Sequence, residues 1–319
     1  MKLKNRQTTP EDEFRDLGFG SKISSQRKRM VNKDGSFNVE RRSLPFFESL
    51  SIYHSLLSMS WLKFNLVVLL AYIVVNLFFA SLYMLIGVNH LGGISGVTTF
   101  EKFLDAFFFS GQTITTVGYG VIHPVGFWAS LISLIESMAG LLGFALATGL
   151  LYGRFSRPNA KILYSKKAII APYKEITAFE FRIANARKNQ LIEVEVQVTV
   201  SIKESKDINS KRKFYVLNLE RNLINFFPLT WTIVHPIDEN SPLYGVSETE
   251  LIDSEAEFII MIKAFDDTFS QSVHSRTSYL YHEIVWGAKF QNIYVEWELN
   301  VTAVDMSKFH GIDKVGFLV

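Results

Sequence analysis

The 319-residue chain contains no cysteine, which excludes disulfides, thiolate metal sites and thiol nucleophiles together. Its net charge is only +2, too little for a general nucleic-acid binder. There is no internal repeat, no low-complexity tract, no nucleophile–base arrangement and no phosphate loop, so no enzyme is expected. His54, His123, His235, His274, His282 and His310 fall at no metal-ligand spacing and read as structural. The N-terminus is polar and mixed in charge, unlike a cleaved signal peptide. Asn89 to Thr99 carries no charge at all. Apolar residues are plentiful instead. They make up 48% of the chain, with a mean hydropathy of +0.15 beside 20% charged residues, which predicts a mosaic of membrane and water-soluble parts.

Trp61 to Val88 is a nearly unbroken apolar run, interrupted by Lys63, Asn65 and Asn76. At 1.5 Å per residue it reaches roughly 40 Å, enough to cross a hydrocarbon core of about 30 Å with some tilt. Phe127 to Tyr152 is a second span, with Glu136 as its one ionisable residue. Trp61, Tyr83, Trp128 and Tyr152 lie near the span ends, where amphipathic rings favour the interface. Phe100 to Thr115 is apolar but too short to cross, which predicts a re-entrant segment enclosed by protein or water. Arg27, Lys28, Arg29, Lys33, Arg41 and Arg42 precede the first span, and Arg154, Arg157, Lys161, Lys166 and Lys167 follow the second. This asymmetry places both termini in the cytoplasm of a multi-pass protein of the cell (inner) membrane.

Leu44 to Ser60 puts Phe47, Leu50, His54 and Leu57 at helical spacing. The segment is either an amphipathic helix along the inner membrane surface or an extension of the span. From Pro158 onward the period changes to two. Ile192, Val194, Val196, Val198 and Val200 share one face, with Glu193, Glu195, Gln197 and Thr199 on the other. Glu257 to Phe265 and Asn292 to Val304 are further β-rich runs, and the whole suggests an all-β sandwich of about 150 residues.

Thr116-Val117-Gly118-Tyr119-Gly120 lies between the half-span and the second span. It resembles the selectivity filter of potassium channels, in which backbone carbonyls replace the hydration shell of the ion. Consecutive carbonyls can all face one axis only if backbone conformations alternate in handedness, and Gly118 and Gly120 permit the positive φ this needs. Carbonyls of Thr116, Val117, Gly118 and Tyr119, with the Thr116 hydroxyl, would bind K+, while the Tyr119 ring packs outward. One chain with two spans cannot enclose a pore, and one loop supplies a quarter of each oxygen ring. A homotetramer is therefore expected. The half-span helix would aim its partially negative C-terminus at the cavity.

Val31 to Val39, Phe179 to Val200, Thr232 to Val246 and Ser275 to Phe290 are similar to the inward-rectifier (Kir) potassium channel family over nearly the whole chain. The missing cysteines, Gln112 and Ile122 where eukaryotic relatives carry a supporting ion pair, and the Val304 to His310 tail resemble the bacterial type. The resemblance implies a membrane α-helical pore with two spans and a re-entrant pore helix, followed by a C-terminal immunoglobulin-like sandwich. The implied divisions are an N-terminal segment 1–43, an interfacial helix 44–60, a pore domain 61–157 and a sandwich domain 158–319. The pore domain comprises an outer helix 61–88, pore helix and filter 100–120, and an inner helix 127–152. It also implies passive K+ conduction of the voltage-gated inward-rectifier class, gated at the inner helices and coupled to the cytoplasmic domain and membrane lipid. A membrane-anchored sensor with a silent pore and a non-selective cation pore are the competing readings.

Strong rectifiers hold Mg2+ or polyamine blockers on an inner-helix acid, and the matching residue here is Phe144. Their cytoplasmic pore acids match Glu193 and Asp267. Phe144 and Tyr152 are candidate hydrophobic constrictions or simple packing residues. Gly140, Gly143 and Gly149 either permit bending or allow close helix approach, with Gly149 the candidate hinge. Glu136 either steadies the filter from behind, lines the cavity, or is a protonated or hydrogen-bonded structural residue. Lys63, Arg154, Arg157 and Lys161 stand at the inner headgroup level. They either bind anionic lipid, phosphoinositides included, or serve as ordinary positive flanks.

Overall fold

The computed structural model describes residues 29–38, 52–156, 160–187, 189–203, 212–296 and 302–316. The chain divides into two compact units. Ser43–Arg157 forms one, and Met1–Arg42 with Pro158–Val319 forms the other.

The first unit is helical. Helix α1 (Ile52–Ser58) precedes α2 (Trp61–Ile86), the short α3 (Thr99–Ile114) and the long α4 (Phe127–Phe155). Both α2 and α4 are long and apolar enough to cross a membrane. Helix α2 ends two residues before Val88, because Gly87 leaves helical geometry at φ +102°. Helix α4 runs three residues past Tyr152. Leu62, Leu69, Val74 and Leu85 face outward from the protomer, which suits lipid or another subunit rather than water. Phe47 and Leu50 of the expected amphipathic helix lie outside the described residues; of the rest, Leu57 is buried and His54 is exposed.

Helix α3 starts with a capping box. The Thr98 hydroxyl accepts the Glu101 amide, and the Glu101 carboxylate accepts the Thr98 and Val97 amides. The Asp105 carboxylate accepts the amides of Ser95 and Gly96. The uncharged connection before α3 is thus strapped onto the helix it leads into. Strands β1 (Leu91–Gly92) and β2 (His123–Pro124) pair antiparallel and close the loop ends together.

The second unit is a β-sandwich. Strand β3 is Ile162–Tyr164, β4 is Ala168–Tyr173, β5 is Ile176–Asn185 and β6 is Leu191–Lys203. Then come β7 (Arg212–Leu217), β8 (Leu223–Phe226), β9 (Thr230–Ile237), the short helix α5 (Glu248–Asp253), β10 (Glu257–Asp266) and β11 (Gln271–Leu280). The last strands are β12 (Ile284–Trp286), β13 (Ala288–Phe290), β14 (Tyr294–Glu296), β15 (Thr302–Val304) and β16 (Ile312–Lys314). One sheet has the order β11-β10-β6-β7 with β8 also on β6. The other has the order β12-β4-β5-β3 with β9 also on β5. Two-stranded pairs β13–β16 and β14–β15 follow.

Alternating apolar residues of both sheets meet in one core. Phe179 of one sheet stacks on Phe258 of the other at 4.3 Å, and Phe181 meets Tyr279 at 5.8 Å. Burying each such ring contributes about 1.5–3 kcal/mol. The expected face assignment of Ile192 is wrong. Lys263 pairs with Glu195 but Phe265 pairs with Ile192, so Glu193 and Val194 together oppose Ala264. Glu193 takes φ +50° in this bulge. The extra residue reverses the parity, and Leu191 enters the core while Ile192 is only half-buried.

Residues 29–38 are tied to the outer side of β10 and β11. The buried Glu257 carboxylate accepts the amides of Met30 at 2.9 Å and Val31 at 3.2 Å. The Ser278 hydroxyl donates to the Val31 carbonyl at 2.7 Å, and Arg29 and Lys33 pair with Glu283. The segment turns at Gly35 so that Val31 bridges Phe37.

On β5, burial pushes Glu180 up to about 7, against the opposing pull of Lys289 and Arg182 and with Glu220 adding to the rise. Between its ordinary value of 4.5 and about 7 the folded chain holds a proton that the unfolded chain has lost. This group therefore makes the fold less stable as pH rises through that window. Glu180→Gln should match wild type in thermal unfolding near pH 4.5 and exceed it increasingly up to about pH 8. A pH-independent difference would contradict the assignment.

Candidate functional site

Thr116 to Gly120 hangs from the C-terminal end of α3. The Gln112 carbonyl accepts the amides of Val117 at 2.9 Å and Gly118 at 3.4 Å, and the Thr113 carbonyl accepts that of Thr116 at 3.1 Å. The Gly111 carbonyl takes the Thr115 hydroxyl at 2.6 Å and the Tyr72 hydroxyl at 3.4 Å. The last carbonyls of the pore helix are therefore occupied with holding the loop, which weakens the negative end that they present.

The loop backbone alternates in handedness. Thr116, Gly118 and Gly120 have φ of 59°, 52° and 81°, while Val117 and Tyr119 stay at negative φ. Positive φ is ordinary for glycine, but at Thr116 it costs about 1–2 kcal/mol, which the hydrogen bonds to α3 must offset. A Cβ added to Gly118 would meet nothing within 4 Å. An alanine there is strained by its backbone alone. Val117 and Tyr119 are exposed on the protomer, at 52% and 76%.

Behind the loop, Glu136 of α4 is fully buried, which removes the cavity-lining alternative and leaves the other two. The Tyr83 hydroxyl of α2 donates to its Oε2 at 2.7 Å, and Ser110 of α3 is bonded to its Oε1. Ser110 also lies 3.0 Å from Asn76 Oδ1, and the Asn76 side-chain nitrogen donates to the Tyr72 carbonyl at 2.7 Å. Tyr83 is fully buried in this cluster and does not act as an interfacial ring, whereas Trp61, Trp128 and Tyr152 are exposed. Asn76 was visible in the sequence as a polar interruption of a span. Nothing in the spacing connected it to Ser110, 34 positions on.

Glycine roles separate cleanly. A Cβ on Gly140 would sit 2.1 Å from the Ile114 carbonyl oxygen, so this glycine lets α4 touch the end of α3. Gly143 and Gly149 have open space around them. Phe144 and Tyr152 are each 74% exposed on the protomer.

Of the basic residues, Lys63 and Lys161 are exposed and Arg157 lies outside the described residues. Arg154 is half-buried and engaged within the protein. Its guanidinium donates to the Leu56 carbonyl and, at 2.7 Å, to the Met59 carbonyl, and lies 4.6 Å from the rings of Trp61 and Phe64. It caps the end of α1. In the sandwich, Glu193 is exposed on the bulge and Asp267 is exposed in the turn after β10. The Asp267 amide bonds to the Gln190 carbonyl at 3.3 Å, which brings both acids to one end of the β6–β10 pair.

Two helices long enough to span, a re-entrant helix ending in an alternating-handed loop, and an immunoglobulin-like sandwich define an ion-channel subunit. Comparison with known proteins agrees. The model of the inward rectifier potassium channel C-terminal domain matches residues 162–318, and an ion channel model matches residues 66–157. The chain is 36% identical over 295 residues to inward rectifier potassium channel Kirbac3.1 of Paramagnetospirillum magnetotacticum, covering 92% of this chain and 98% of that one. It is 28% identical over 319 residues to ATP-sensitive inward rectifier potassium channel 12 of Gallus gallus, covering 92% and 74%. Spo0M, a sporulation control protein from Bacillus subtilis, superposes on 40% of this chain at 12% identity and a TM-score of 0.23, too low to bear on the fold. The chain belongs to the inward rectifier potassium channel family, as a membrane protein of the bacterial type and not an enzyme.

Gly140→Ala should lower the stability of the protein by about 1–3 kcal/mol, because a backbone carbonyl must move. Gly143→Ala should be neutral or slightly stabilising, since alanine is the better helix former. Thermal unfolding in detergent compares the two, and equal effects would refute the close-approach role.

Proposed function

We propose that this chain forms a homotetrameric, K+-selective pore whose selectivity filter is Thr116 to Gly120. The alternation of backbone handedness along that loop carries the reading, because it turns successive carbonyls toward one side. Carbonyls of Thr116, Val117, Gly118 and Tyr119 and the Thr116 hydroxyl take the place of the water around K+, and four copies complete each ring. The side chains of Val117 and Tyr119, exposed on one protomer, supply the packing between copies.

Both termini are cytoplasmic, on the positive-charge asymmetry. Tyr152, and above it Phe144, narrow the closed pore, with Gly149 as the bending point. Gating of the inner helices responds to the sandwich domain and to anionic lipid, phosphoinositides among them, at Lys63, Arg157 and Lys161. Inward rectification is weak. Phe144 supplies no cavity charge, so internal Mg2+ or polyamine is drawn mainly to Glu193 and Asp267, where it crosses little of the membrane field.

Gly118→Ala tests the filter. Each copy should be strained by about 1–2 kcal/mol, so four copies should lower K+ flux on the order of a thousandfold or more. Flux of K+ and Na+ from purified tetramers in liposomes gives the readout. Unchanged selective flux, or a mass other than four chains in native lipid, would sink the reading.

A further inference from the structure

Donor counting around Glu136 leads beyond its position. The cluster holds two hydroxyls, one carboxyl group and one side-chain amide, shared between α2, α3 and α4, and it lies inside the protein in a membrane-spanning unit. The Asn76 side-chain nitrogen must face the Tyr72 carbonyl, because a backbone carbonyl can only accept. Asn76 Oδ1 therefore faces Ser110 and needs a proton from it. A serine hydroxyl has one hydrogen, so once given to Asn76 it presents only lone pairs to Glu136 Oε1. Tyr83 likewise has one hydrogen, and that goes to Oε2. The remaining contact, Oε1 to the Ser110 oxygen, closes only if the carboxyl brings its own proton.

We infer that Glu136 is held as a neutral carboxylic acid that donates to Ser110, and that it is a positioning residue for the filter rather than a charge in the cavity. The chain of donors then runs without a gap from Tyr83 to Glu136, Ser110, Asn76 and the Tyr72 carbonyl. An ionised Glu136 would leave Asn76 Oδ1 and Ser110 sharing a contact with no hydrogen when Ser110 turns to the carboxylate. It would also bury a charge against two neutral donors, with no basic partner among the described residues. The neutral form satisfies every member, which is the condition under which a buried polar network rigidifies its surroundings. Ser110 stands two residues before Gln112, whose carbonyl holds the amides of Val117 and Gly118. Fixing Ser110 between two spanning helices thus fixes the peg from which the loop hangs. This positioning role rests on Thr116 to Gly120 being the filter; the protonation state does not.

Glutamine offers one acceptor and one donor in the places of the neutral acid. Glu136→Gln should therefore assemble normally and keep the K+ over Na+ flux ratio within about twofold of wild type. Ser110→Ala and Tyr83→Phe, which each leave a buried partner unmatched, should lower that ratio by about fivefold to tenfold. The infrared difference spectrum between wild type and E136Q, in lipid at neutral pH, should contain the carbonyl stretch of a protonated carboxyl. A carboxylate pair of bands in its place overturns the neutral acid, as does an E136Q protein that fails to assemble or loses selectivity like S110A. An undiminished flux ratio in both S110A and Y83F overturns the positioning role. The infrared measurement needs no conduction, so it stands whatever Gly118→Ala shows.

Discussion

The carbonyl of Gln112 accepts two amide protons, from Val117 and Gly118, and most of the membrane unit exists to keep that one oxygen in place. An irregular loop has no helical or ladder partners for its backbone, so its amides must find acceptors elsewhere. Helix α3 supplies them from its last turn. The helix is fixed at its start by the Thr98–Glu101 capping box and along its length by Asp105 holding the preceding loop. At its far end it meets Gly140 of α4 at backbone distance and the Glu136 cluster at side-chain distance. The left-handed Thr116 persists because these supports together outweigh its strain.

The sandwich unit solves a different problem. Two sheets bury a continuous apolar core between them, and the aromatic stack of Phe179 on Phe258 locks the sheets face to face. The outer side of β10 and β11 would otherwise expose Ile259 and the Glu257 carboxylate. Residues 29–38 cover the first with Met30 and Val31 and satisfy the second with two backbone amides. An acid buried at 1% exposure is tolerated there because a distant part of the sequence brings donors to it.

Much of this was legible in the residues. The apolar runs marked both spans because length alone separates them from soluble helices, and the T-V-G-Y-G motif marked its loop because glycine at alternate positions has a backbone meaning. The period-two pattern of β6 showed a strand but put Ile192 on the wrong face, since a bulge leaves no mark in an alternating run. Arg154 looked like its basic neighbours, and only the carbonyls of Leu56 and Met59 distinguish it. The pairing of Tyr83, Ser110 and Glu136 could not be read at all. Three polar residues scattered over three helices acquire a common purpose only when the helix packing rotates them inward.

Arg154 binds the end of α1 to the end of α4 through two backbone carbonyls, and the Trp61 ring at the start of α2 lies 5.0 Å from Phe155. Backbone carbonyls, unlike side chains, cannot swing away. The short helix and the tail of the long one are thereby joined at their ends, with Met59 and Ser60 as the link into α2. The tie lies two residues from Tyr152, so the end of α1 and the chain around Tyr152 share one anchor.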